Sequence, residues 1–434
     1  MSLHETGAGN SFYHQQLTCR TVEDRFEIHG FTRKTAGGAA AAQCRMLPGR
    51  TVFAELMTHV SPRKFRTCVE RYDGDYKASR FSCWDQFLCM AFAQLTYREG
   101  LRDIEACLRA VQPRLYHLGI RARVSRSTLA DANETRDWRI YRDFAQGLIR
   151  TARELYLNEP LAVALANTVY ALDATIIELC LSVFPWAHYR RRDAAIKLHT
   201  LVDLRGVIPT VVQITPGKCP DVTALDDLVL EAGAIYLMDR GYVDFIRLCR
   251  FTEEAAFFVT RTKHGIRFIR RASRPVDFTS GLVSDHEVIL ATAESRRHYP
   301  HLLRRIRYVD PQTKKSLVFL TNNFTFPALT IARLYKSRWQ VELFFKWIKQ
   351  HLRIKAFYGT SENAVKTQIW IALSVYVLVA IVRKRLTLDV SLYKLLQILS
   401  VTLFEKMPIS TAVFDVAPKF EEIDDCNQLQ LFDL

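Results

Sequence analysis

Three patterns of hydrophobicity follow one another along this chain, and their order limits the folds that it can adopt. Residues 46–160 contain long apolar runs without strand alternation, which is typical of helices. After residue 160, short apolar and β-branched segments between turn residues indicate strands. A long amphipathic helix is predicted from Pro327 to Leu352, and further helices follow. The chain should therefore join a helical front region to a region that mixes strands and helices.

The charge balance indicates a polyanionic partner. The 434 residues carry 60 Lys and Arg against 45 Asp and Glu, a formal net charge of +15. Nucleic acid is the first candidate partner and an anionic membrane surface the second, and charge alone does not choose between them. Because 49% of the residues are hydrophobic, the chain is long and apolar enough to bury a core, which excludes a wholly disordered protein.

The first 45 residues lack the hydrophobic periodicity of the rest. They include the small-residue stretch AGGAAAAQ at 36–43, and we expect a disordered leader there. We hypothesise that Met46 is the true start, since the globular pattern begins at that residue. The first residues also show no basic-then-apolar run, so no signal peptide is predicted.

The cysteines and the most apolar segment both favour a soluble intracellular protein. None of the ten cysteines forms a C-x-x-C pair, so zinc-ribbon and thioredoxin motifs are absent and reduced cytosolic thiols are expected. The segment Ile369–Val382 is apolar but, at fourteen residues, shorter than the roughly 20 needed to span a bilayer. A buried helix in a soluble protein is predicted.

A helix-turn-helix is one interpretation of the helical stretch at 81–111, the basic turn after it and the segment at 123–144. Ser125 or Ser127 is a candidate N-cap, and Arg123, Arg126, Arg136 and Arg139 would lie near the helix ends. Two helices joined by a basic turn suit DNA binding. An ordinary helical bundle with a solvated basic face explains the same pattern, and the residues alone do not decide.

Two acids occupy unusual positions in the strand region. Asp173 lies inside the apolar run NTVYALDATIIEL, where ionisation is costly, and Asp239 ends the strand AIYLMD just before Arg240 and Gly241. Ligands bind at the carboxyl ends of strands in open α/β sheets, but a cap or a buried ion pair explains a single Asp equally well. Between these acids, a hairpin is predicted at residues 203–206 and a helical stretch at Asp221–Gly233.

The helix predicted from Pro327 gives a stronger signal. Residues 333–355 contain seven basic residues and one acid, Glu342. At about 100° per residue, one stripe about 80° wide holds five residues: Tyr335, Arg338, Glu342, Lys346 and Lys349. A solvated face with a Glu342–Lys346 pair is the simpler explanation. The dominance of one charge sign favours a phosphate-binding ridge whose central carboxylate binds metal.

Three separated carboxylates suit one chemistry in particular. Transfer of a phosphodiester is commonly performed by two divalent ions roughly 3.5–4 Å apart. Mg²⁺ prefers oxygen ligands and keeps several waters, so two or three carboxylates suffice.

At these residues the sequence resembles the bacterial DDE transposases of the insertion-sequence-four type. Their Y-x2-R-x3-E-x6-K signature is present without a gap as YKSRWQVELFFKWIK, residues 335–349. The D-R-G-Y at Asp239–Tyr242 is similar to the family's second-aspartate block, and ALDAT around Asp173 to the first. The resemblance runs from about residue 46 to 385.

The resemblance implies an α/β fold: an RNase H-like mixed sheet with flanking helices, interrupted by a β-rich insertion, plus an N-terminal helical domain. The expected DNA-binding domain covers 46–160, the first part of the catalytic domain 161–254, and the insertion 255–320. The second catalytic part would cover 321–386, and a helical C-terminal region with an acidic tail 387–434.

The resemblance also implies roles for individual residues. Asp173, Asp239 and Glu342 would be catalytic and hold two Mg²⁺ ions per site, for which Mn²⁺ would substitute. By the same resemblance Tyr335, Arg338 and Lys349 would contact DNA next to the scissile phosphate. Three further residues are predicted DNA contacts on other grounds: Lys346, because it shares the charged stripe, and the basic residues Arg240 and Arg126. Well-understood members stack a flipped base on a Trp of the insertion, but no Trp lies between Trp186 and Trp339 here. Three phenylalanines are candidate substitutes, because stacking needs only a π-face: Phe257, Phe258 and Phe268.

The resulting hypothesis is a transposase that binds the terminal inverted repeats of its element and joins the cut ends to target DNA. It would act as a homodimer in a synaptic complex, in the cytoplasm at the nucleoid, with no membrane partner. Two alternatives remain open at this point: a domesticated, catalytically silent DNA-binding protein, and an RNase H-like nuclease that does not transpose.

Overall fold

A computed structural model describes residues 50–414 except 77, 79, 121–122, 162, 164, 191–192 and 352–356. The leader predicted for residues 1–45, the start hypothesised at Met46 and the acidic tail from residue 415 lie outside the described residues.

Within the described residues, six α-helices precede the first strand: α1 (Val52–Thr58), α2 (Pro62–Arg71), α3 (Cys83–Leu95), α4 (Leu101–Ala110), α5 (Arg126–Thr135) and α6 (Arg139–Tyr156). Side-chain caps define several starts; at α3, Ser82 and Asp85 form a reciprocal capping box. Ser125 caps α5 by accepting from the amide of Thr128 at 3.2 Å. The helical front region predicted from the sequence is confirmed.

Helix α5 and the basic turn after it do not present a row of arginines. Arg136 at the end of α5 donates to the carbonyl of Ser82 at 2.8 Å and to Gln86 Oε1 at 3.1 Å, so it ties α5 to α3. Arg139 pairs with Asp137 at 2.6 Å. Arg126, in the first turn of α5, remains exposed.

The described residues contain one ten-stranded mixed sheet. Its strands are β1 (Val169–Leu179), β2 (His188–Arg190), β3 (Asp193–Asp203), β4 (Ile208–Pro216), β5 (Ile235–Met238), β6 (Phe257–Arg261), β7 (Phe268–Arg274), β8 (Leu282–Leu290), β9 (Leu303–Val309) and β10 (Ser316–Thr321).

The centre of the sheet has the order β4-β3-β1-β5-β6. Strands β1, β3 and β4 are antiparallel neighbours, whereas β5 is parallel to β1 and β6 is parallel to β5. This is the RNase H-like arrangement that the resemblance implied. The predicted hairpin is present between β3 and β4, where Gly206 adopts φ 79°, a left-handed conformation that glycine accepts without strain.

Strand β6 lies within the range predicted for the insertion, 255–320, but it pairs with β5 in the centre of the sheet, and the strands after it continue the same sheet. Strand β10 pairs antiparallel with β6, and β9, β8 and β7 follow in that order. A buried ion pair holds the insertion together: Arg304 Nη2 lies 2.6 Å from Asp285 Oδ2, and both side chains are at most 3% exposed. Arg304 also donates to the carbonyls of Asn323 and Phe326, which fixes the segment that leads into the next helix.

Two α-helices lie between β5 and β9, α7 (Phe245–Glu253) and α8 (Ala293–His298). In the part of the chain that the structure describes, five more follow the sheet: α9 (Ala328–Ser337), α10 (Trp339–His351), α11 (Glu362–Arg385), α12 (Leu392–Thr402) and α13 (Ile409–Phe414). The helix predicted from Pro327 to Leu352 is thus two helices. Arg338 between them keeps helical backbone angles, but its amide bonds to the carbonyl of Tyr335, three residues back, at 3.1 Å. The helix predicted over Asp221–Gly233 is also wrong: only Asp221–Leu225 forms a short 3₁₀ turn.

Helix α11 is the centre of the main core and packs against α6, α3 and α5. Among the described residues it is the one helix long and apolar enough to cross a membrane, but 94% of its apolar window is buried in the protein. The sequence argument from length was therefore wrong, since the helix has 24 residues rather than fourteen. The predicted buried helix is present.

Candidate active site

Sheet register brings the two aspartates together. In the parallel pairing of β1 with β5, Leu172 is opposite Met238. Each of these two residues is followed by an acid, Asp173 and Asp239, so the two acids lie at the same level of the sheet. The backbones of neighbouring strands are about 4.8 Å apart in the hydrogen-bonding direction. Asp239 directly follows β5 and precedes the 3₁₀ turn Arg240–Tyr242. Both acids therefore stand at the edge where β5 ends.

Arg338 joins the first aspartate to the glutamate. Its Nη1 donates to Asp173 Oδ2 at 2.7 Å, and its Nη2 donates to Glu342 Oε1 at 2.6 Å. The turn between α9 and α10 places the guanidinium between these two carboxylates, although Arg338 and Asp173 are 165 positions apart in the chain. Hydrogen bonds between ionised groups at such distances are among the stronger ones in proteins.

Tyr335 connects the remaining acid to the same group. Its hydroxyl lies 3.4 Å from Asp239 Oδ1, and the Arg338 guanidinium carbon lies 5.8 Å from its ring centroid. The ring packs on Phe319 of β10 at 5.0 Å between centroids, so the insertion helps to fix the tyrosine. Asp173, Asp239 and Glu342 thus form one cluster, the carboxylate site, connected by Tyr335 and Arg338.

Burial sets the electrostatics of this site. Burial raises the pKa of Asp173, against the opposing effect of Arg338 and the Ala174 amide. Burial also raises the pKa of Tyr335 to about 12. Burial by itself lowers the pKa of Arg338, but Tyr335, Asp173 and Glu342 outweigh it and raise that pKa above its usual value. The guanidinium is therefore a permanent cation among the carboxylates.

The other sequence-predicted residues lie at different distances from the cluster. Arg240 is exposed and adjacent in the chain to Asp239, and Lys346 is exposed one turn of α10 after Glu342. Lys349 is half-buried on the same helix. Tyr335 is 8% exposed, so it belongs to the site wall and not to an exposed ridge. Arg126 lies on α5 in the helical region, outside the carboxylate cluster.

Two residues near the site, Asp221 and Tyr242, were not predicted as site residues from the sequence. Asp221 Oδ1 lies 2.8 Å from Lys197 Nζ. The other carboxylate oxygen, Oδ2, is close to Gly241, because it lies 3.9 Å from the position that a Cβ on this glycine would take. Tyr242 is 2% exposed, and its hydroxyl has no hydrogen-bond partner in the described part of the chain. Burial, Asp173, Asp221 and Asp239 all raise the pKa of Tyr242. Tyr242 is part of the D-R-G-Y block, which was the available signal, whereas Asp221 was hidden in a segment interpreted as a helix.

A basic cavity adjoins Asp239 through Arg240. It has a volume of about 310 Å³, and its lining includes Arg240, Arg261, Lys263, Phe268 and Arg305. The Arg305 guanidinium lies 5.8 Å from the Phe268 ring centroid. Of the other two candidate stacking residues, Phe258 is fully buried and Phe257 is half-buried in β6. Phe268 is therefore the candidate that lines a cavity with cations.

The donor set of the carboxylate site fits hard divalent cations. Asp173, Asp239 and Glu342 offer carboxylate oxygens, the ligand type that Mg²⁺ prefers. Two of them are already arranged around a positive group, since the Arg338 guanidinium occupies the space between Asp173 and Glu342. The site thus combines oxygen ligands with a built-in cation.

Comparison with known proteins agrees with this geometry. A family model described as a transposase DDE domain matches residues 165–378, and one for a domain of unknown function matches residues 48–121. The first of these matches contains all three acids of the carboxylate site.

Three relatives described as transposases match parts of the chain. The protein y4zB of Sinorhizobium fredii is 32% identical over 55% of this chain and 67% of its own length. The protein of insertion sequence element IS5377 from Geobacillus stearothermophilus is 32% identical over 53% of this chain and 58% of its own length. The protein of insertion sequence element IS4SA from Synechocystis is 23% identical over 58% of this chain and 70% of its own length.

A solved structure, the piggyBac transposase synaptic complex with hairpin DNA, aligns with a TM-score of 0.44 at 11% identity, covering 89% of this chain and 90% of the other. Proteins of the DDE transposase domain generally use divalent metal ions. The identity and coverage of the relatives, with the domain match around the three acids, show that this chain belongs to the DDE transposases of insertion sequences.

Proposed function

We propose that this protein cuts DNA at the terminal inverted repeats of its own element and joins the freed ends to target DNA. The observation that carries the proposal is the convergence of three acids on two neighbouring side chains: Asp173 of β1 and Glu342 of α10 bind Arg338, and Asp239 at the end of β5 contacts Tyr335. The three acids are proposed as catalytic and as the ligands of two Mg²⁺ ions, with Mn²⁺ as a substitute. Bound there, these ions supply Lewis-acid activation of the attacking and leaving oxygens.

The surrounding side chains are proposed to hold the DNA backbone. Arg240, next to Asp239 in the chain, and Lys346, one turn of α10 after Glu342, are exposed and would bind phosphate oxygens. Lys349 would contribute charge from the same helix as Lys346, and Arg338 and Tyr335 would orient the scissile phosphate. The basic cavity next to Arg240 supports a path for one strand, with Phe268 as a stacking surface. Arg126 is proposed to contact duplex DNA from the helical region.

The reaction we propose needs no covalent protein–DNA bond. A water or a 3′-hydroxyl attacks the phosphorus, and the bond to the leaving oxygen breaks. Tyr335 is a poor candidate nucleophile because burial raises its pKa to about 12 and keeps the phenol protonated. Its proposed role is to position Asp239 and the arginine. A trapped phosphotyrosine adduct would contradict this assignment.

The test uses the purified chain and plasmid DNA that carries the sequences flanking its own gene. We expect nicking and end cleavage with Mg²⁺ or Mn²⁺, lost in Asp173→Asn, Asp239→Asn and Glu342→Gln while DNA binding persists. Glu178→Gln is the matched control, because this acid is exposed on the same strand as Asp173. Cleavage that survives the three variants would refute the site.

Two further assays separate the alternatives. A silent DNA-binding protein would shift the end-containing DNA without nicking it under any metal. A nuclease that does not transpose would cut the ends but would not join a pre-cleaved end to a plasmid. Sizing the complex on end-containing DNA tests the proposed homodimer, and imaging a fluorescent fusion tests the proposed nucleoid location in the cytoplasm.

A further inference from the structure

A second group of metal-binding side chains lies on α7 and on the insertion. Cys249, Glu253 and His301 each offer one ligand atom, and these atoms all lie within 4.8 Å of one another. None of the three belongs to the carboxylate site. The set combines sulfur, nitrogen and oxygen, unlike the all-oxygen set described above.

Local structure brings these residues together. Cys249 and Glu253 are four residues apart on α7, so they share one face of the helix, and the thiol donates to Glu253 Oε1 at 3.4 Å. His301 belongs to the turn before β9, in the insertion. A site formed by all three would therefore connect the catalytic core to the insertion.

Buried neighbours fix the turn that carries the histidine. The hydroxyls of Tyr299 and Thr252 are 2.8 Å apart, so the turn is tied to α7 at the residue just before Glu253. The Tyr299 ring is 1% exposed and lies edge-on to the His301 ring at 5.7 Å between centroids. Supporting contacts of this kind orient metal ligands and strengthen binding.

We propose that Cys249, Glu253 and His301 bind one Zn²⁺-class ion, which clamps α7 to the insertion. A thiolate and an imidazole are ligands of Zn²⁺ and Co²⁺ rather than of Mg²⁺. Three protein ligands leave a fourth position, and water reaches it because Glu253 and His301 are exposed. When the ion binds, the Cys249 thiol releases its proton to solvent. Bonds from the sulfur and from the Glu253 carboxylate to the ion then replace the hydrogen bond between these two groups.

The required movement is small. Tetrahedral bonds of about 2.0–2.3 Å place ligand atoms roughly 3.3–3.7 Å apart. Ligand atoms up to 4.8 Å apart must therefore approach by about 1 Å. Rotation of the exposed Glu253 and His301 side chains supplies that movement without displacing α7 or β9.

The experiment uses the full chain, stripped with EDTA and titrated with Co²⁺ in excess Mg²⁺, which occupies the oxygen sites. We expect one Co²⁺ per chain with a sulfur-to-cobalt charge-transfer band and the intense visible bands of tetrahedral Co²⁺, both removed by one equivalent of Zn²⁺. Zn²⁺ should also raise the Tm of the wild type.

Cys249→Ser should abolish the charge-transfer band, and His301→Gln should weaken Co²⁺ binding at least tenfold. His301 is exposed, so His301→Gln provides a second test if the buried Cys249→Ser variant folds poorly. Cys180→Ser is the matched control, because this thiol is exposed outside the cluster, and it should keep the band.

A wild-type protein without the band would overturn the proposal, as would a band that persists in Cys249→Ser or disappears in Cys180→Ser. The inference is independent of the proposed DNA cleavage. Asp173→Asn combined with Asp239→Asn should retain the cobalt spectrum, so failure of one proposal leaves the other intact.

Discussion

Replacing Arg338 with methionine tests whether its guanidinium acts as the counter-charge of the metal-free carboxylate site. Methionine has a similar length but neither charge nor donors. The change removes the hydrogen bonds to Asp173 Oδ2 at 2.7 Å and to Glu342 Oε1 at 2.6 Å. The two carboxylates then lose the cation that separates them.

The magnitude follows from the burial of the three groups. Each hydrogen bond to a charged group contributes about 1.5–3 kcal/mol. The side chains of Arg338, Asp173 and Glu342 are 14%, 21% and 35% exposed, so solvent screens the glutamate bond most and the low end of that range applies to it. We expect Arg338→Met to lower the free energy of unfolding by about 3 kcal/mol, which for a folded region of this size lowers Tm by about 4 °C.

The assay is thermal unfolding in EDTA and then across a Mg²⁺ titration. In the wild type the guanidinium competes with the metal for Asp173 and Glu342. The variant should therefore bind Mg²⁺ more tightly, and Mg²⁺ should raise its Tm more than that of the wild type. Arg333→Met is the control, because it makes the same change at an exposed position of α9.

Two results would refute this reasoning. If Arg338→Met unfolds at the wild-type temperature in EDTA, the arginine does not stabilise the carboxylates in solution. If its Mg²⁺ affinity equals that of the wild type, the guanidinium does not compete for the metal ligands.

Three further predictions concern the surrounding structure. Arg304→Met should cost about 3–5 kcal/mol in urea unfolding, because it leaves the Asp285 carboxylate buried without its partner, and adding Asp285→Leu should recover most of the loss. Burial lowers the pKa of His199 to about 4, so the stability it contributes is complete above pH 6.5 and declines as the pH falls towards 4. Between pH 7 and 5 this effect lowers the free energy of unfolding of the wild type by about 2 kcal/mol, and His199→Gln should abolish that loss. Equal pH profiles of unfolding free energy for the wild type and the variant would contradict this. Tyr242→Phe should stay within about 1 kcal/mol of the wild type in urea, since the hydroxyl has no partner; a loss above about 2 kcal/mol would show that it is bound in solution.

Patterns with a short period predicted most of the elements. The helical front region follows from long apolar runs without strand alternation. The hairpin between β3 and β4 and the strands of the insertion follow from short apolar and β-branched segments between turn residues. The helix predicted over Asp221–Gly233 is wrong because the spacing of its leucines is compatible with more than one backbone conformation. Here a 3₁₀ turn and the irregular chain after it bury Leu225, Leu228 and Leu230 in one cluster. The length estimate for α11 failed for a related reason: polar residues such as Gln368 are buried in this helix, so composition does not mark its ends.

The sequence by itself determined which side chains are available: an acid within β1, an acid after β5, and Y-x2-R-x3-E on a charged helix. Their spacing along the chain is local information, and together with the family resemblance it nominated the three acids. The tertiary structure decided which of them meet. The parallel register of β1 and β5 sets Asp173 beside Asp239. The turn at Arg338 directs its guanidinium to an aspartate 165 positions away, and β3 holds Lys197 beside Asp221. Such contacts depend on how strands pair and helices pack across the whole chain, so no single segment of the sequence encodes them.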